Sequence, residues 1–258
     1  MKRLVLILLV FVGGCLNGEA EQFQVRDGNS TVRIDYNQTP DTARNIPPSD
    51  ERKEFALSGL GVSFDRWQGA TAGDFIFDEA VLFEDDYIKN NKVFLEFGVR
   101  EHVKNNPDQN IEYWYFLKPG TEVRAIVEGT ISISFIEHSQ DWAVHMHPEG
   151  SQYIVSFEHL QNLQVEEGDV VKPGDVLGEA VPWSANDKVG FTELAVWQGG
   201  SAIYKYCPFD FLDEDLKPIY EQKITQLTED WEEFIDEDVY SQDSWVSPGC
   251  VVERIKEV

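Results

Sequence analysis

Basic residues are scarce in this chain. Its 258 residues include 21 lysines and arginines against 47 aspartates and glutamates, so the formal net charge at pH 7 is −26. A surface this acidic repels phosphate backbones and anionic lipid headgroups, which excludes DNA and RNA as partners. The same charge favours a basic peptide as partner, or serves only to keep the surface solvated.

Long apolar runs are also missing. The run at 4–12 (LVLILLVFV) holds nine residues, whereas a membrane-spanning helix needs about 20. A positive start before it and small residues after it are typical of a secretory signal. The sequence VGGC at 12–15 resembles the lipobox of prokaryotic lipoproteins, which implies that residues 1–14 are a signal peptide and that Cys15 carries a lipid. An ordinary signal peptide with an incidental cysteine is the alternative. We expect an extracytoplasmic protein anchored to the cell membrane by lipid.

Cysteine is rare, with three in the chain. Once Cys15 is assigned to the lipid, Cys207 and Cys250 remain. Exported proteins tend to pair their cysteines, so these two are candidates for a disulfide between the end of the core and the C-terminal tail. Two separate buried thiols are the alternative.

The rest of the chain divides into three regions. Residues 15–50 are rich in Asn, Asp, Thr and Pro without an apolar period, which predicts a flexible tether. Residues 51–212 contain short runs with β character, such as KVFLEFGV at 92–99, and regularly spaced glycine turns. They predict an antiparallel β domain, with its core at 110–212.

Residues 213–258 form the third region, a C-terminal helix and tail. Its apolar residues recur at helical intervals, with acidic residues opposite. They are Tyr220, Ile224, Leu227, Trp231, Phe234 and Ile235. We expect this face to pack on the β core, with a partner-binding helix as the alternative. Residues 243–258 are a candidate for one more strand.

Four phrases stand in order between 118 and 212: KPGTEVRAIVEGTISI (118–133), YIVSFEHL (153–160), VEEGDVVKPGDVLGEA (165–180) and FTELAVWQGG followed by CPFDFL (191–212). Together they resemble the lysostaphin-type (LytM-like) zinc endopeptidases, which cut peptide cross-links in bacterial cell walls. The resemblance implies a mainly β fold, an antiparallel barrel-sandwich hybrid built from a duplicated hybrid motif. A biotin carrier is excluded, although it has a similar turn, because no Met-Lys-Met-like lysine follows Gly178.

The metal-binding residues of that family do not recur. The positions of its His-x-x-x-Asp phrase fall here on Asn110 and Trp114. A tryptophan has no lone pair for a metal, and a neutral amide oxygen is a poor zinc ligand. The positions of its His-x-His strand fall on Phe191 and Glu193, and only His159 is retained. The resemblance therefore implies a catalytically degenerate member with no catalytic residue and no cofactor.

Degenerate members of the family act as binding or regulatory modules, in some cases activating cell-wall amidases. By resemblance, the former substrate groove binds a cell-envelope peptide or a protein partner. We predict this groove around Trp114, His147, His159, Phe191 and Glu193. Aromatic side chains at former ligand positions suit stacking or apolar contact rather than hydrolysis.

Two other interpretations stay open. His145 and His147 alternate on a predicted strand and share one face. With His159 and Glu193 they are candidate zinc ligands of an active envelope metalloendopeptidase with a rearranged site, although strand histidines at the surface explain them equally. The other interpretation is a structural lipoprotein whose groove is filled by residues 55–105.

Overall fold

The computed structural model describes residues 55–84, 89–100, 109–183 and 186–256. The predicted signal peptide, Cys15 and the tether at 15–50 lie outside these ranges. Within them, no helix combines the length and the apolar character needed to cross a membrane.

Antiparallel β-strands dominate the described residues, as the sequence predicts. Fourteen strands form one curled sheet, and β4 and β5 pair separately. The strands are β1 (Trp67–Gln68), β2 (Thr71–Ala72), β3 (Phe75–Ile76), β4 (Phe83–Glu84), β5 (Lys89–Asn90), β6 (Phe94–Leu95), β7 (Tyr113–Leu117), β8 (Glu122–Arg124), β9 (Gly129–Ile136), β10 (Asp141–His147), β11 (Tyr153–Gln161), β12 (Val170–Val171), β13 (Val176–Trp183), β14 (Asn186–Gln198), β15 (Tyr204–Tyr206) and β16 (Arg254–Lys256). The predicted mainly β fold is confirmed.

The long strand β14 organises the centre of the sheet. It pairs with β7 along one side and with β11 along the other, and β11 continues to β10 and β9. Side chains alternate across this sheet. Val144 and Met146 of β10 are buried in the core, whereas His145 and His147 are half-buried on the opposite face. That opposite face carries the candidate site.

A β-bulge in β11 sets the direction of His159. Val144 pairs with Phe157 and Trp142 pairs with Leu160, so Glu158 and His159 together stand opposite a single residue of β10. His159 has a positive φ of 61°. Such a bulge turns a side chain away from the direction that regular alternation would give it.

One α-helix is present in the described residues, α1 (Lys217–Ile235), where the sequence predicts it. Ile224, Leu227 and Trp231 are fully buried on its inner face. The Trp231 ring packs edge-on against Phe77 at 5.3 Å, and its Nε1 donates to the carbonyl of Asn91 at 2.9 Å. The apolar face of the helix is therefore explained by packing on the β domain. The described residues also contain three short 3₁₀ turns, Glu79–Val81, Pro208–Phe211 and Gln242–Ser244.

The C-terminal tail is tied to the sheet in two ways. Its strand β16 pairs with β15, and Cys250 forms a disulfide with Cys207, 43 residues away, with a Cα–Cα distance of 6.0 Å. The hydroxyl of Tyr113 donates to the carbonyl of Pro248 at 2.8 Å beside this bond. The disulfide thus holds the tail against β7, the strand that carries Trp114.

Breaking this disulfide is expected to destabilise the protein. For a loop of this length the loss of the unfolded-state constraint amounts to about 4 kcal/mol. We expect the free energy of unfolding, measured by urea denaturation, to fall by about that amount when reductant is added. The control is the double variant Cys207→Ser/Cys250→Ser, which should show the lower stability with or without reductant. Equal stability of the oxidised and reduced wild type would contradict a structural role for the bond.

Candidate functional site

Strands β7, β14 and β11 bring most of the predicted groove residues together. Glu193 of β14 stands opposite Trp114 on β7 and opposite Glu158 on β11. Phe191 lies two residues before Glu193 on the same strand, and His159 follows Glu158 at the bulge. Four of the five predicted groove residues are thus neighbours, although they come from three separate parts of the chain.

Aromatic rings fill one side of this site. The ring of Phe191 is buried, with centroids 5.5 Å from Trp114, 5.1 Å from His159 and 4.6 Å from Trp183. Phe116 contacts both Phe191 and Trp183. Edge-on and tilted aromatic contacts of this kind stabilise a packed wall. The two family positions that fall on Trp114 and Phe191 therefore supply packing surface.

Asn110 has a structural role at the entrance to β7. Its side chain is buried, and Nδ2 donates to the carbonyl of Glu96 at 3.0 Å and to the carbonyl of Glu112 at 2.6 Å. These bonds satisfy two backbone acceptors that would otherwise be buried without a donor. Asn110 fixes the segment that delivers Glu112 and Trp114 to the site.

Glu112 and Glu193 form a buried carboxyl pair. Burial raises the pKa of Glu193 well above its usual range, and the adjacent Glu112 carboxylate, to which Glu193 donates a hydrogen bond, raises it further. Burial alone would also raise the pKa of Glu112, but the hydrogen bond from Glu193 and the Lys205 ammonium outweigh it and lower that pKa. The Nζ of Lys205 lies 2.5 Å from Oε1 of Glu112. Glu193 holds the proton, and Glu112 is the anion paired with Lys205.

Glu158 joins this pair as a third carboxylate. Oxygens of Glu112, Glu158 and Glu193 lie within 4.8 Å of one another, a spacing that a metal ion could bridge. The Lys205 ammonium, 2.5 Å from Oε1 of Glu112, neutralises part of the negative charge of this cluster from within the protein.

His159 is held in place by an acid that the sequence reasoning missed. Its Nδ1 lies 2.9 Å from Oδ2 of Asp141, and Nε2 lies 3.7 Å from Oε1 of Glu193. The Ser139 hydroxyl donates to Oδ1 of Asp141 at 2.8 Å. Asp141 directs the imidazole towards the carboxyl pair. The position of Asp141 just after a polar turn was the signal available in the sequence, and it was too common a pattern to single the residue out.

His145 and His147 lie on one face of β10, and serine hydroxyls engage both. Nδ1 of His145 is 2.7 Å from Oγ of Ser156 and Nε2 is 3.1 Å from Oγ of Ser134, while Nε2 of His147 is 2.7 Å from Oγ of Ser132. Burial, followed by the neighbouring His147, lowers the pKa of His145 to about 4. His145 is therefore neutral at pH 7, with both ring nitrogens occupied.

The donors at the family positions do not fit a zinc ion. A catalytic zinc site needs three protein ligands that converge and leave one position open. Asn110 uses its amide hydrogens on backbone carbonyls, and Trp114 has no ligand atom. His159 and Glu193 remain, and two ligands are fewer than the three that a catalytic zinc site needs.

The carboxyl pair predicts opposite effects for two similar substitutions. The raised pKa of Glu193 contributes stability that is present below its unfolded value, near 4.5, and is lost as the pH rises through the folded pKa. In Glu193→Gln the amide donates to Glu112 at every pH. We expect this variant to match the wild type near pH 5 and to exceed its free energy of unfolding by about 1–2 kcal/mol at alkaline pH.

Glu112→Gln is the matched control, since it removes the carboxylate that lies 2.5 Å from the buried Lys205 ammonium. We expect it to lose about 3–5 kcal/mol at pH 7. Denaturant unfolding of both variants between pH 5 and pH 10 measures the difference. If the two variants behave alike, the proton is not placed on Glu193.

Comparison with known proteins identifies the central part of the chain. Residues 113–192 match the model of peptidase family M23. Thirty-two solved chains match in structure. One is the catalytic domain of lysostaphin from Staphylococcus simulans, with 18% identity over 41% of this chain and 78% of that chain and a TM-score of 0.35. No curated protein matches the sequence.

Two further structures show how much of each relative is covered. The solution structure of lysostaphin has 19% identity, and the match covers 37% of this chain but only 39% of that chain, with a TM-score of 0.33. A structure of the SpoIIQ–SpoIIIAH pore forming complex has 17% identity over 54% of this chain and 85% of that chain, with a TM-score of 0.34. The family assignment rests on the match of residues 113–192, which agrees with the order of motifs in the sequence. Residues 113–192 are therefore similar to peptidase family M23, as the LytM-like order of motifs predicts.

Proposed function

We propose that this chain is a catalytically degenerate M23 domain that binds a cell-envelope peptide or a protein partner in the former substrate groove. In this proposal the protein is exported, and the lipid on Cys15 anchors it to the outer side of the membrane. The proposal depends most on one observation: Asn110 and Trp114, at the positions of the family's first two metal ligands, serve hydrogen bonding and packing. The Lys205 ammonium, 2.5 Å from Oε1 of Glu112, places a positive charge beside the buried carboxyl groups.

Hydrolysis by this family requires a metal that activates water. At the positions that would hold it, Asn110 and Trp114 serve hydrogen bonding and packing, and Glu193 is a hydrogen-bond donor. These side chains support loss of hydrolysis with retention of the fold. With these side chains in place, the strands still pair in the arrangement that forms the groove.

The same surface is suited to binding. Trp114 is half-buried beside the packed Phe191, and His159 is fixed by Asp141 at the margin of the aromatic wall. Rigid aromatic surface next to a few fixed polar groups is the composition of ligand-binding sites in general. Because Glu158 adds negative charge next to the wall, a ligand with a cationic group beside an apolar one fits best.

An active metalloendopeptidase that uses His145, His147, His159 and Glu193 is the second candidate. The contacts of His145 weigh against it, since both ring nitrogens are engaged by serine hydroxyls. Among the described residues, the group of three possible ligands within reach of one ion is Glu112, Glu158 and Glu193, which includes no histidine.

Metal content separates these two candidates. We expect protein purified without chelator, and then offered zinc, to retain less than about a tenth of an equivalent, because the ligand set for a tetrahedral site is missing. Elemental analysis after gel filtration measures this directly. Uptake near one equivalent that His159→Ala removes would establish the enzyme instead.

Binding in the groove is expected to depend on Trp114. With soluble peptide fragments from digested bacterial cell wall as probe, we expect Trp114→Ala to weaken binding by about tenfold or more, as for a central aromatic contact. The control is Ile203→Ala, since Ile203 is 40% exposed and forms no part of the groove. Isothermal titration calorimetry gives the affinities, and mass spectrometry of the recovered peptides shows whether any has been cut. Equal affinities for both variants would contradict binding in the groove.

A further inference from the structure

The outer edge of β9 has the features of a strand-docking surface. We propose that an extended, basic segment of a partner protein adds to the sheet here as a further strand, beside Ile133–Ile136. This surface is separate from the groove, because β11 and β10 lie between β14 and β9. It is defined by the edge of β9 together with Phe135 and Trp142.

The backbone of β9 is only partly paired on this side. Along one side β9 pairs with β10 over its whole length, but on the other β12 covers only Gly129 and Thr130. Ile131 still bonds outward, donating to the carbonyl of Asp169 at 2.8 Å and accepting from Gly168 at 2.9 Å. No strand among the described residues continues this pairing beyond Ile131.

Alternation fixes which groups the open edge presents. In an antiparallel strand, residues alternate between the two neighbouring strands for their hydrogen bonds. Since Ile131 bonds outward and the carbonyl of Ile136 accepts from Gln140 on the β10 side, Ile133 and Phe135 also direct their backbone groups outward. An incoming strand would find their carbonyls and amides in the correct register.

A glutamate side chain is bound to the first of these outward backbone groups, the N–H of Ile133. The N–H of Ile133 donates to Oε2 of Glu167 at 2.8 Å. Glu167 lies in the exposed turn before β12, so its carboxylate takes the place that a carbonyl of a neighbouring strand would take. Charged side chains at sheet edges commonly block pairing with other chains. Here the blocking group is the exposed carboxylate of Glu167, which a basic partner can attract and displace.

An exposed aromatic pair stands at the same edge. Phe135 is 45% exposed and Trp142 is 39% exposed, and their ring centroids are 4.8 Å apart. They are cross-strand neighbours beside the turn at 137–140 that joins β9 to β10. Exposed aromatic surface of this size at a sheet edge suits an apolar side chain of an added strand.

Charge determines the chemistry of the partner. Between Arg124 and Lys172 the sequence contains no lysine or arginine but eight acidic residues. This stretch includes both strands of the hairpin and the turn that carries Glu167. A basic peptide is attracted to it, whereas a second copy of this chain brings the same acidic edge and is repelled. Alternating basic and apolar residues match the edge, since Phe135 lies on one face of β9 and the exposed Ser134 on the other.

A hexapeptide of alternating lysine and valine, blocked at both ends and carrying a fluorescent label, tests this docking surface. We expect saturable binding to the full-length protein, measured by fluorescence anisotropy, and Phe135→Ala should weaken it by about tenfold or more. Ile219→Ala is the matched control, since Ile219 is 47% exposed on α1. Two further peptides, one methylated at the backbone nitrogens of its valines and one at those of its lysines, distinguish backbone pairing from charge attraction. Each methylation removes the N–H donors along one edge of the peptide and leaves its charge unchanged.

Three results would overturn the inference. Binding that neither Phe135→Ala nor N-methylation changes would reflect charge attraction alone. Self-association of the protein without peptide, lost in Phe135→Ala, would assign the edge to a second copy. Loss of hexapeptide binding in Trp114→Ala with no loss in Phe135→Ala would place the peptide in the groove. Failure of groove binding to cell-wall peptides leaves this test untouched, since it uses a different probe and a different surface.

Discussion

Three acidic side chains meet in the middle of the sheet, and the need to neutralise them determines the rest of the site. An isolated buried carboxylate is far too costly to retain, so each such group requires a proton, a cation or several donors. Glu193 keeps a proton, and Glu112 takes the Lys205 ammonium together with the hydrogen bond from Glu193. This arrangement requires β7, β14 and β15 to keep their register, because Glu112 immediately precedes β7, β14 supplies Glu193 and β15 supplies Lys205. The contact between Glu112 and Glu193 therefore depends on the register of these strands, and the contact in turn constrains that register.

The bulge at His159 extends this constraint to β11. A regular strand would leave a single residue opposite Ala143, and the bulge inserts a second, which brings His159 between Asp141 and Glu193. The histidine stands at the position that the order of motifs predicts. Its contacts with an acid on either side hold the ring in place. The ring lies 5.1 Å from that of Phe191, at the margin of the aromatic wall.

The fold could be read from the sequence where local pattern determines structure. The stripe of Ile224, Leu227 and Trp231 follows the helical period, and these residues are buried. Gly178 marks a turn phrase, and a Cβ there would lie 2.9 Å from the carbonyl oxygen of Gln161, so the close approach explains the glycine. The positions of Asn110, Trp114, Phe191 and Glu193 followed from motif spacing.

The side chains that contact these residues could not be predicted from the sequence in the same way. Lys205 reaches Glu112 across 93 positions, and Asp141 reaches His159 across 18. No local period connects them, because the contacts arise only when β15 lies beside β14 and when the bulge turns His159. The protonation of Glu193 depends in turn on these contacts, so a carboxylate that looks like a lone weak ligand in the sequence is a hydrogen-bond donor in the structure. Charge states in a buried site follow from tertiary neighbours rather than from residue type.

Acidity then has two different roles in the same sheet. In the groove the carboxylates are buried, paired and largely neutralised, so they act as fixed hydrogen-bonding groups beside an aromatic wall. At the edge of β9 the carboxylates are exposed, and the surrounding sequence holds no lysine or arginine to neutralise them, so their charge acts over longer range. In our two proposals, the groove therefore selects its ligand by shape and hydrogen bonding, and the edge of β9 selects its partner by charge before contact. Neither means of recognition requires a metal ion.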